Sequence, residues 1–485
     1  MSNSVTGKLI PVKKKDPMSF LTEPRSENRT RPVEERRIDF KEIYITKETD
    51  ELAEQAGRCL DCGNPYCEWK CPLHNYIPNW LELVNEGKII AAAAMMHQTN
   101  PLPEICGRVC PQDRLCEQAC TLNTGFGAVH IGAIERNVTD AALAKGWRPD
   151  LTNIEDTGKQ VAIIGAGPAG LGCAEYLVRR GVKPIVYDKY PEIGGLLTFG
   201  IPGFKLEKDV VRERRRYLED LGVEFKLNHE VGKDISMDDL RRQTDAQFLA
   251  MGCYTPVTGG LKGLNAKGVI KALDYLIGNI SHHEEFNMPD YNYHDLKGLD
   301  VLVLGGGDTA MDCVRTAVRQ GAKSVKCLYR RDRDSMPGSP REVSYAMEEG
   351  VEFLFNVQPL ELLTNEQHQF TGVRVAQTKL VDDVRASRKR FEVDENSVSE
   401  IVADRVILAF GYRPSPTEWM TSHNIETDES GLVKVPHERS GEFQLATTSE
   451  GIYAGGDMVT GADLVVTAIA QGRQAAQEIL EYLEV

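Results

Sequence analysis

The apolar positions of this 485-residue chain follow two regimes. Between residues 41 and 150 they recur at helical spacing in short stretches, over Glu48–Leu60 and Trp80–His97, with Pro72, Pro78, Pro101 and Pro111 marking breaks. The longest apolar run, Ile89–Met96, is eight residues, which suits a buried helix and is too short to cross a bilayer. From Lys159 the pattern becomes strand, glycine-rich turn, helix. Val161–Ile164 leads to a helix over Leu171–Arg180, and the same events recur at Val301–Leu304 and Ala310–Gln320. Each copy closes on a similar strand, Phe248–Gly252 and Ile407–Gly411, and a polar stretch, Ser281–Leu296, separates them.

After Pro414 a short tail carries a strand at Gly451–Ala454 and a helix over Leu464–Leu483. It is too short to fold alone, so it is expected to return and complete the first copy. The pattern predicts an α/β chain with two nested Rossmann-like domains behind an α-helical one. The expected boundaries are an extended arm at 1–40, a helical domain at 41–150, a first nucleotide domain at 159–285 and 413–485, and a second at 286–412.

The turns carry the chemistry. Gly165-Ala166-Gly167-Pro168-Ala169-Gly170 links a strand to a helix, and Asp188 ends the next strand. Glycines there let the backbone approach a pyrophosphate at the helix N-terminus, and the acid accepts hydrogen bonds from a ribose. Gly305-Gly306-Gly307-Asp308-Thr309-Ala310 is the second such turn, but Arg330 and Arg331 stand where the acid would be. Guanidinium groups there suit the 2′-phosphate of NADPH, which an acid would repel. Two sites on one chain imply two dinucleotides, and the economical pair is a flavin and a nicotinamide. The split domain is expected to hold FAD, with Gly194-Gly195-Leu196 beside it and Gly455-Gly456-Asp457 returning to place Asp457 on the ribityl chain. No closely spaced cysteine pair accompanies these segments, so a dithiol relay is not expected and electrons must leave the flavin another way.

Eight of the twelve cysteines lie between Cys59 and Cys120. With no apolar leader behind the first residues, a cytoplasmic protein is expected, and such a protein does not keep eight cysteines as disulfides. Cys59, Cys62, Cys67 and Cys71 form one group and Cys106, Cys110, Cys116 and Cys120 another, with Pro72 and Pro111 following a cysteine. Thiolates on turns with a Cys-Pro step suit iron–sulfur clusters, with structural zinc as the rival. Beside a flavin domain iron–sulfur is favoured, because flavin accepts a hydride and releases single electrons. A net charge of −15 argues against nucleic acid as the main ligand. The first 41 residues run the other way, with ten Lys or Arg against six Asp or Glu, and read as an arm that could lie along a partner's surface.

With these motifs in hand, the chain resembles the small (beta) subunits of bacterial NADPH-dependent glutamate synthases. The resemblance runs through Cys59–Cys120, Gly165–Gly170, Gly194–Pro202, Gly305–Asp312 and Val465–Ala476. The same architecture recurs in dihydropyrimidine dehydrogenase and in flavin subunits of ferredoxin-dependent transhydrogenases, so those complexes stay open, as does a zinc-bearing assembly domain whose nucleotide sites sense redox state. The resemblance implies two 4Fe–4S clusters with interleaved ligands: Cys59, Cys62, Cys67 and Cys120 for one, and Cys71, Cys110, Cys116 and Glu135 for the other. Cys106 is left over, and it or Glu135 completes the second set. The resemblance further implies an electron-input role, from NADPH through FAD and the clusters to a large (alpha) subunit that makes glutamate from glutamine and 2-oxoglutarate. No membrane partner is expected. Hydride transfer needs stacking and no general base, so no acid–base residue is assigned.

Overall fold

The computed structural model describes residues 16–26, 29–381, 390–436 and 444–485. They form two compact units. The first takes the chain up to Thr30 and from Tyr44 to Asn153; the second takes Arg31–Ile43 and everything from Ile154.

The first unit is helical. Thr49–Gly57, Ile77–Asn85, Ile89–Thr99 and Ile131–Ala144 pack around Trp80, Val84, Met96, Ile134 and Val138, all fully buried. The single helix expected over Trp80–His97 is two, because Gly87 takes a left-handed φ of 74° that ends the first and turns the chain. The arm is also not free along its described part. Ser19 Oγ donates to the Gly57 carbonyl at 2.8 Å, and Phe20 stacks edge-on against Phe126 at 4.9 Å. Arg25 donates to the Ala128 carbonyl and to Glu117, each at 2.6 Å. The basic Lys13–Lys15 lies outside the described residues.

The second unit holds two five-stranded parallel sheets that share one order over four strands and differ in where the edge strand comes from, the end of the chain in the first and the start of the segment in the second. The first runs Ile452–Ala454, Ala246–Leu249, Gln160–Ile164, Lys183–Asp188, Glu224–Leu227. Its edge strand comes from the C-terminal tail, pairing Tyr453 with Phe248, so the second domain is nested in the first as expected. Strands such as Val161–Ile164 are buried on both faces, which is why they read as unbroken apolar runs. The second sheet runs Val269–Lys271, Arg405–Leu408, Asp300–Leu304, Ser324–Tyr329, Glu352–Phe355.

The boundary expected at 285/286 is therefore misplaced. Val269–Lys271 already pairs with Val406–Leu408, and Ala272, Tyr275 and Leu276 of the following helix pack in the second core. The apolar Val269-Ile270 was too short to register as a strand. Two connections join the halves, and they pair with each other: Cys253–Pro256 lies antiparallel to Tyr412–Pro414. A further antiparallel sheet, Val357–Thr364, Phe370–Val381, Arg390–Val393 and Ser399–Val402, is attached to the second half.

Candidate functional site

The first glycine-rich turn is built as a cradle. Gly165 holds φ 110°, and a Cβ there would lie 2.4 Å from the Ala250 carbonyl oxygen. At Gly170 a Cβ would lie 2.0 Å from the Gly165 carbonyl oxygen, so the helix Pro168–Val178 can start this close to the strand only with glycine. Gly167 differs: nothing stands within 4 Å of its Cβ position, so it faces open space at the helix N-terminus, where the dipole favours an anion. Asp188 accepts from the Ala166 N–H at 2.7 Å and the Tyr190 N–H at 2.9 Å, which fixes it beside the turn. Burial raises its pKa.

Three more segments converge on this turn. Gly195, at φ 53°, places its Cβ position 3.1 Å from the Gly167 Cα, and Leu196 begins the short helix Leu196–Phe199. The buried Lys208 ammonium donates to the carbonyls of Leu197 (3.0 Å) and Ile201, pinning that segment, and burial lowers its pKa to about 7. Gly456, at φ 70°, brings its Cβ position 3.1 Å from the Ala169 Cβ, and Asp457 opens the helix Asp457–Thr460 beside it. Burial, with Asp463 nearby, pushes Asp457 up to about 6. The returning helix Val465–Leu483 crosses Pro168–Val178 with Gly472 over the Ala169 carbonyl.

The second turn repeats the design. Gly305 at φ 144° would put a Cβ 2.2 Å from the Ala409 carbonyl oxygen, whereas Gly307 opens on free space at the N-terminus of Asp308–Arg319. Asp308 accepts from the Ser339 N–H at 2.9 Å, Thr309 follows, and Ala310 is fully buried where the helix meets the sheet. Arg330 and Arg331 follow the strand Ser324–Tyr329, and both guanidinium groups lie over the ring of Phe391, at 4.9 and 5.4 Å.

In the helical unit, Cys59, Cys62, Cys67 and Cys120 line one pocket together with Tyr66, Pro78, Leu81, Leu122 and Ile131. Cys71, Cys110, Cys116 and Glu135 form a second group, each thiol within electrostatic reach of the carboxylate. Cys106 stands in the same surroundings, beside Cys110 and within the same reach of Glu135, so four thiols surround that carboxylate. Among the described residues no three Cys, His, Asp or Glu side chains converge on a point that would hold one metal ion. Burial pushes Cys67 and Cys71 up to about 12, so these thiols ionise only with a cation beside them.

Glu135 is buried on the helix Ile131–Ala144. Its Oε1 accepts from Asn75 at 2.8 Å and Asn100 at 3.0 Å, and burial drives its pKa up to about 8. Asn75 is itself held, accepting from Trp80 Nε1 and Thr99 Oγ1, both at 3.1 Å. The Cys106 thiol is turned toward Asn100 Oδ1, 3.7 Å away. Sequence reasoning missed Asn75, Asn100, Lys208 and Phe391. Lone amides and a single phenylalanine carry no spacing signal, though Lys208 could have been suspected from its place just after the glycine motif.

Two nucleotide cradles in one unit and two thiol sets in the other define an iron–sulfur, pyridine-nucleotide-dependent flavoprotein oxidoreductase. Residues 36–147 match the family described as dihydropyrimidine dehydrogenase domain II, 4Fe-4S cluster, and residues 159–472 match pyridine nucleotide-disulphide oxidoreductase. The glutamate synthase (NADPH) small chain of Halomonas elongata is 56% identical over 96% of this chain and 98% of its own length. That of Escherichia coli K12 is 54% identical over the same shares, 96% and 98%. The chain belongs to the family of glutamate synthase (NADPH) small chains. Among solved structures, Mycobacterium tuberculosis FprA in complex with NADPH shares the fold at 17% identity, with a TM-score of 0.54 over 67% of this chain and 84% of that one. Among the described residues no helix is long and apolar enough to cross a membrane.

Proposed function

We propose that this chain oxidises NADPH and delivers the electrons, through FAD and two 4Fe–4S clusters, to a large chain that makes glutamate from glutamine and 2-oxoglutarate. The observation that carries the reading is the pairing of two nucleotide cradles with two separate thiol sets, on a chain that matches glutamate synthase small chains over nearly their whole length. Gly165, Gly167, Pro168, Ala169, Gly170, Asp188, Gly195, Leu196, Gly456 and Asp457 hold FAD. Gly305, Gly307, Asp308, Thr309, Ala310, Arg330 and Arg331 hold NADPH. Cys59, Cys62, Cys67 and Cys120 hold one cluster, and Cys71, Cys110, Cys116 and Glu135 the other. When bound, the flavin converts a two-electron donor into single electrons that the clusters can carry.

The residues' own contributions are positional and electrostatic. Gly167 and Gly307 keep Cβ atoms out of the phosphate paths while the helix ends behind them face the pyrophosphates. Asn75 and Asn100 orient the Glu135 carboxylate from one side, which favours it over Cys106 as the fourth ligand. Lys208 fixes the Leu197–Ile201 backbone from behind.

The test is anaerobic NADPH oxidation by the tagged chain purified with whatever accompanies it. Glutamine plus 2-oxoglutarate is compared with ferredoxin plus NAD as the acceptor system. Glutamate formed in step with NADPH loss supports the reading; ferredoxin turnover without glutamate overturns the assignment of the partner and final acceptor.

A further inference from the structure

Arg330 and Arg331 carry the NADPH preference in the reading above. Long side chains lose rotamer freedom when fixed, so contacts that order them in advance favour binding. The second half supplies a brace from elsewhere. Phe391 lies on the strand Arg390–Val393, opposite Leu380 on the long strand Phe370–Val381. Its ring carries both guanidinium groups, Arg330 at 4.9 Å and Arg331 at 5.4 Å from the centroid. The hairpin that bears it is tied to the same segment by its backbone. Thr378 Oγ1 donates to the Arg330 carbonyl at 2.9 Å, the Thr378 N–H to the Asn356 carbonyl at 2.8 Å, and the Asn356 N–H to the Arg331 carbonyl at 3.0 Å. The ring therefore moves with the arginines and is not a chance neighbour.

We propose that Phe391 is a specificity-determining positioning residue: its aromatic face holds Arg330 and Arg331 together as a preformed seat for the 2′-phosphate, and so selects NADP over NAD without itself touching the phosphate. An aromatic face attracts a cation by its quadrupole. A phosphate dianion contacting both arginines then meets a seat already ordered, and the ordering cost is not charged against binding. The nicotinamide and pyrophosphate positions are shared by both nucleotides, so loss of the brace is felt by NADP alone. The Arg330-Arg331-Asp332-Arg333-Asp334 run looks like alternating surface charge, yet its first two positions reach the ring.

The proposal rests on the phosphate-binding reading of the arginines, and the test separates the two. Binding of NADP⁺ and of NAD⁺ to the flavin-loaded full chain is measured by titration calorimetry for Phe391→Ala, Phe391→Leu, Phe391→Trp and the double variant Arg330→Ala/Arg331→Ala. Two partly exposed cation–ring contacts predict a loss of about fivefold to tenfold in NADP⁺ affinity for Phe391→Ala, with NAD⁺ changed less than about twofold. Phe391→Leu, which keeps apolar bulk but no ring, should match Phe391→Ala, and Phe391→Trp should restore binding. Leu behaving like the native residue, or equal loss for both nucleotides, overturns the brace. If the double arginine variant binds NADP⁺ as before, the phosphate reading itself falls, whatever Phe391 does.

Discussion

Glu349 is the place where one neutralised charge should cost most. It is fully buried and accepts from two arginines, Arg315 Nε and Nη2 at 3.0 and 2.8 Å and Arg319 Nη1 and Nη2 at 2.6 and 3.1 Å, and forms an ion pair with Arg36 Nε at 3.3 Å. Burial opposes its ionisation, but the hydrogen bonds from Arg319 and Arg315 outweigh that and hold its pKa below the usual value. Arg315 and Arg319 also stack over Phe204 at 4.6 and 3.9 Å. Phe204 belongs to the first nucleotide half, so this junction joins that half to the helix Asp308–Arg319 of the second. Glu349→Gln keeps the shape and removes the charge, leaving the buried arginines under-compensated. Breaking such a pair costs about 3–5 kcal/mol, and the low end applies because Arg315 keeps Glu342 at 2.6 Å and Arg36 keeps Glu348. Glu348→Gln is the control: its carboxylate is 48% exposed and screened by water, and Arg36 keeps Glu349, so its loss should stay well below that of Glu349→Gln. The assay is urea unfolding of both variants followed by circular dichroism. A Glu349→Gln loss below about 1 kcal/mol, or equal to that of Glu348→Gln, would refute the argument.

Three further predictions follow from the same geometry. Glu342 is drawn down to about 2 against its burial by Lys205 and Arg315, so its stabilisation is complete above pH 4.5 and is lost as pH falls from there toward 2. The loss is about 3 kcal/mol and should vanish from the acid limb of a urea-midpoint profile in Glu342→Gln; an unchanged limb would count against it. Gly165→Ala should destabilise the fold because its Cβ meets the Ala250 carbonyl, whereas Gly167→Ala should melt like the flavin-free native chain and lose FAD, read as the flavin-to-protein ratio; full flavin retention in Gly167→Ala would mean that the turn faces something else. On the proposed ligand sets Cys62 and Cys116 serve different clusters, so Cys62→Ser and Cys116→Ser should each lose roughly half of the iron and acid-labile sulfide. Loss of all iron in either variant would show that the sets do not assemble separately.

What could be read from the chain depended on whether the physics was local. The two glycine turns were legible because a tight strand–turn–helix junction leaves no room for Cβ atoms at Gly165, Gly170 and Gly305, and that exclusion is written in consecutive residues. The nesting was legible because a tail with one strand and one helix cannot bury its own faces. The boundary near residue 286 was not, because the strand Val269–Lys271 gains its identity from pairing with Val406–Leu408, more than a hundred residues away. The arm was misread for a related reason. Arg36 looks like one of many basic residues in a polar segment, yet it is 1% exposed, because the acids that receive it, Glu348 and Glu349, stand far along the chain. The same distinction governs the site. Cysteine density pointed to metal clusters, but Asn75 and Asn100, which donate to Glu135, come from separate loops and have no pattern of their own. Groups that contact a cofactor are constrained by its shape and so leave motifs; groups that hold those groups in place are constrained only by the fold and become visible when it is seen.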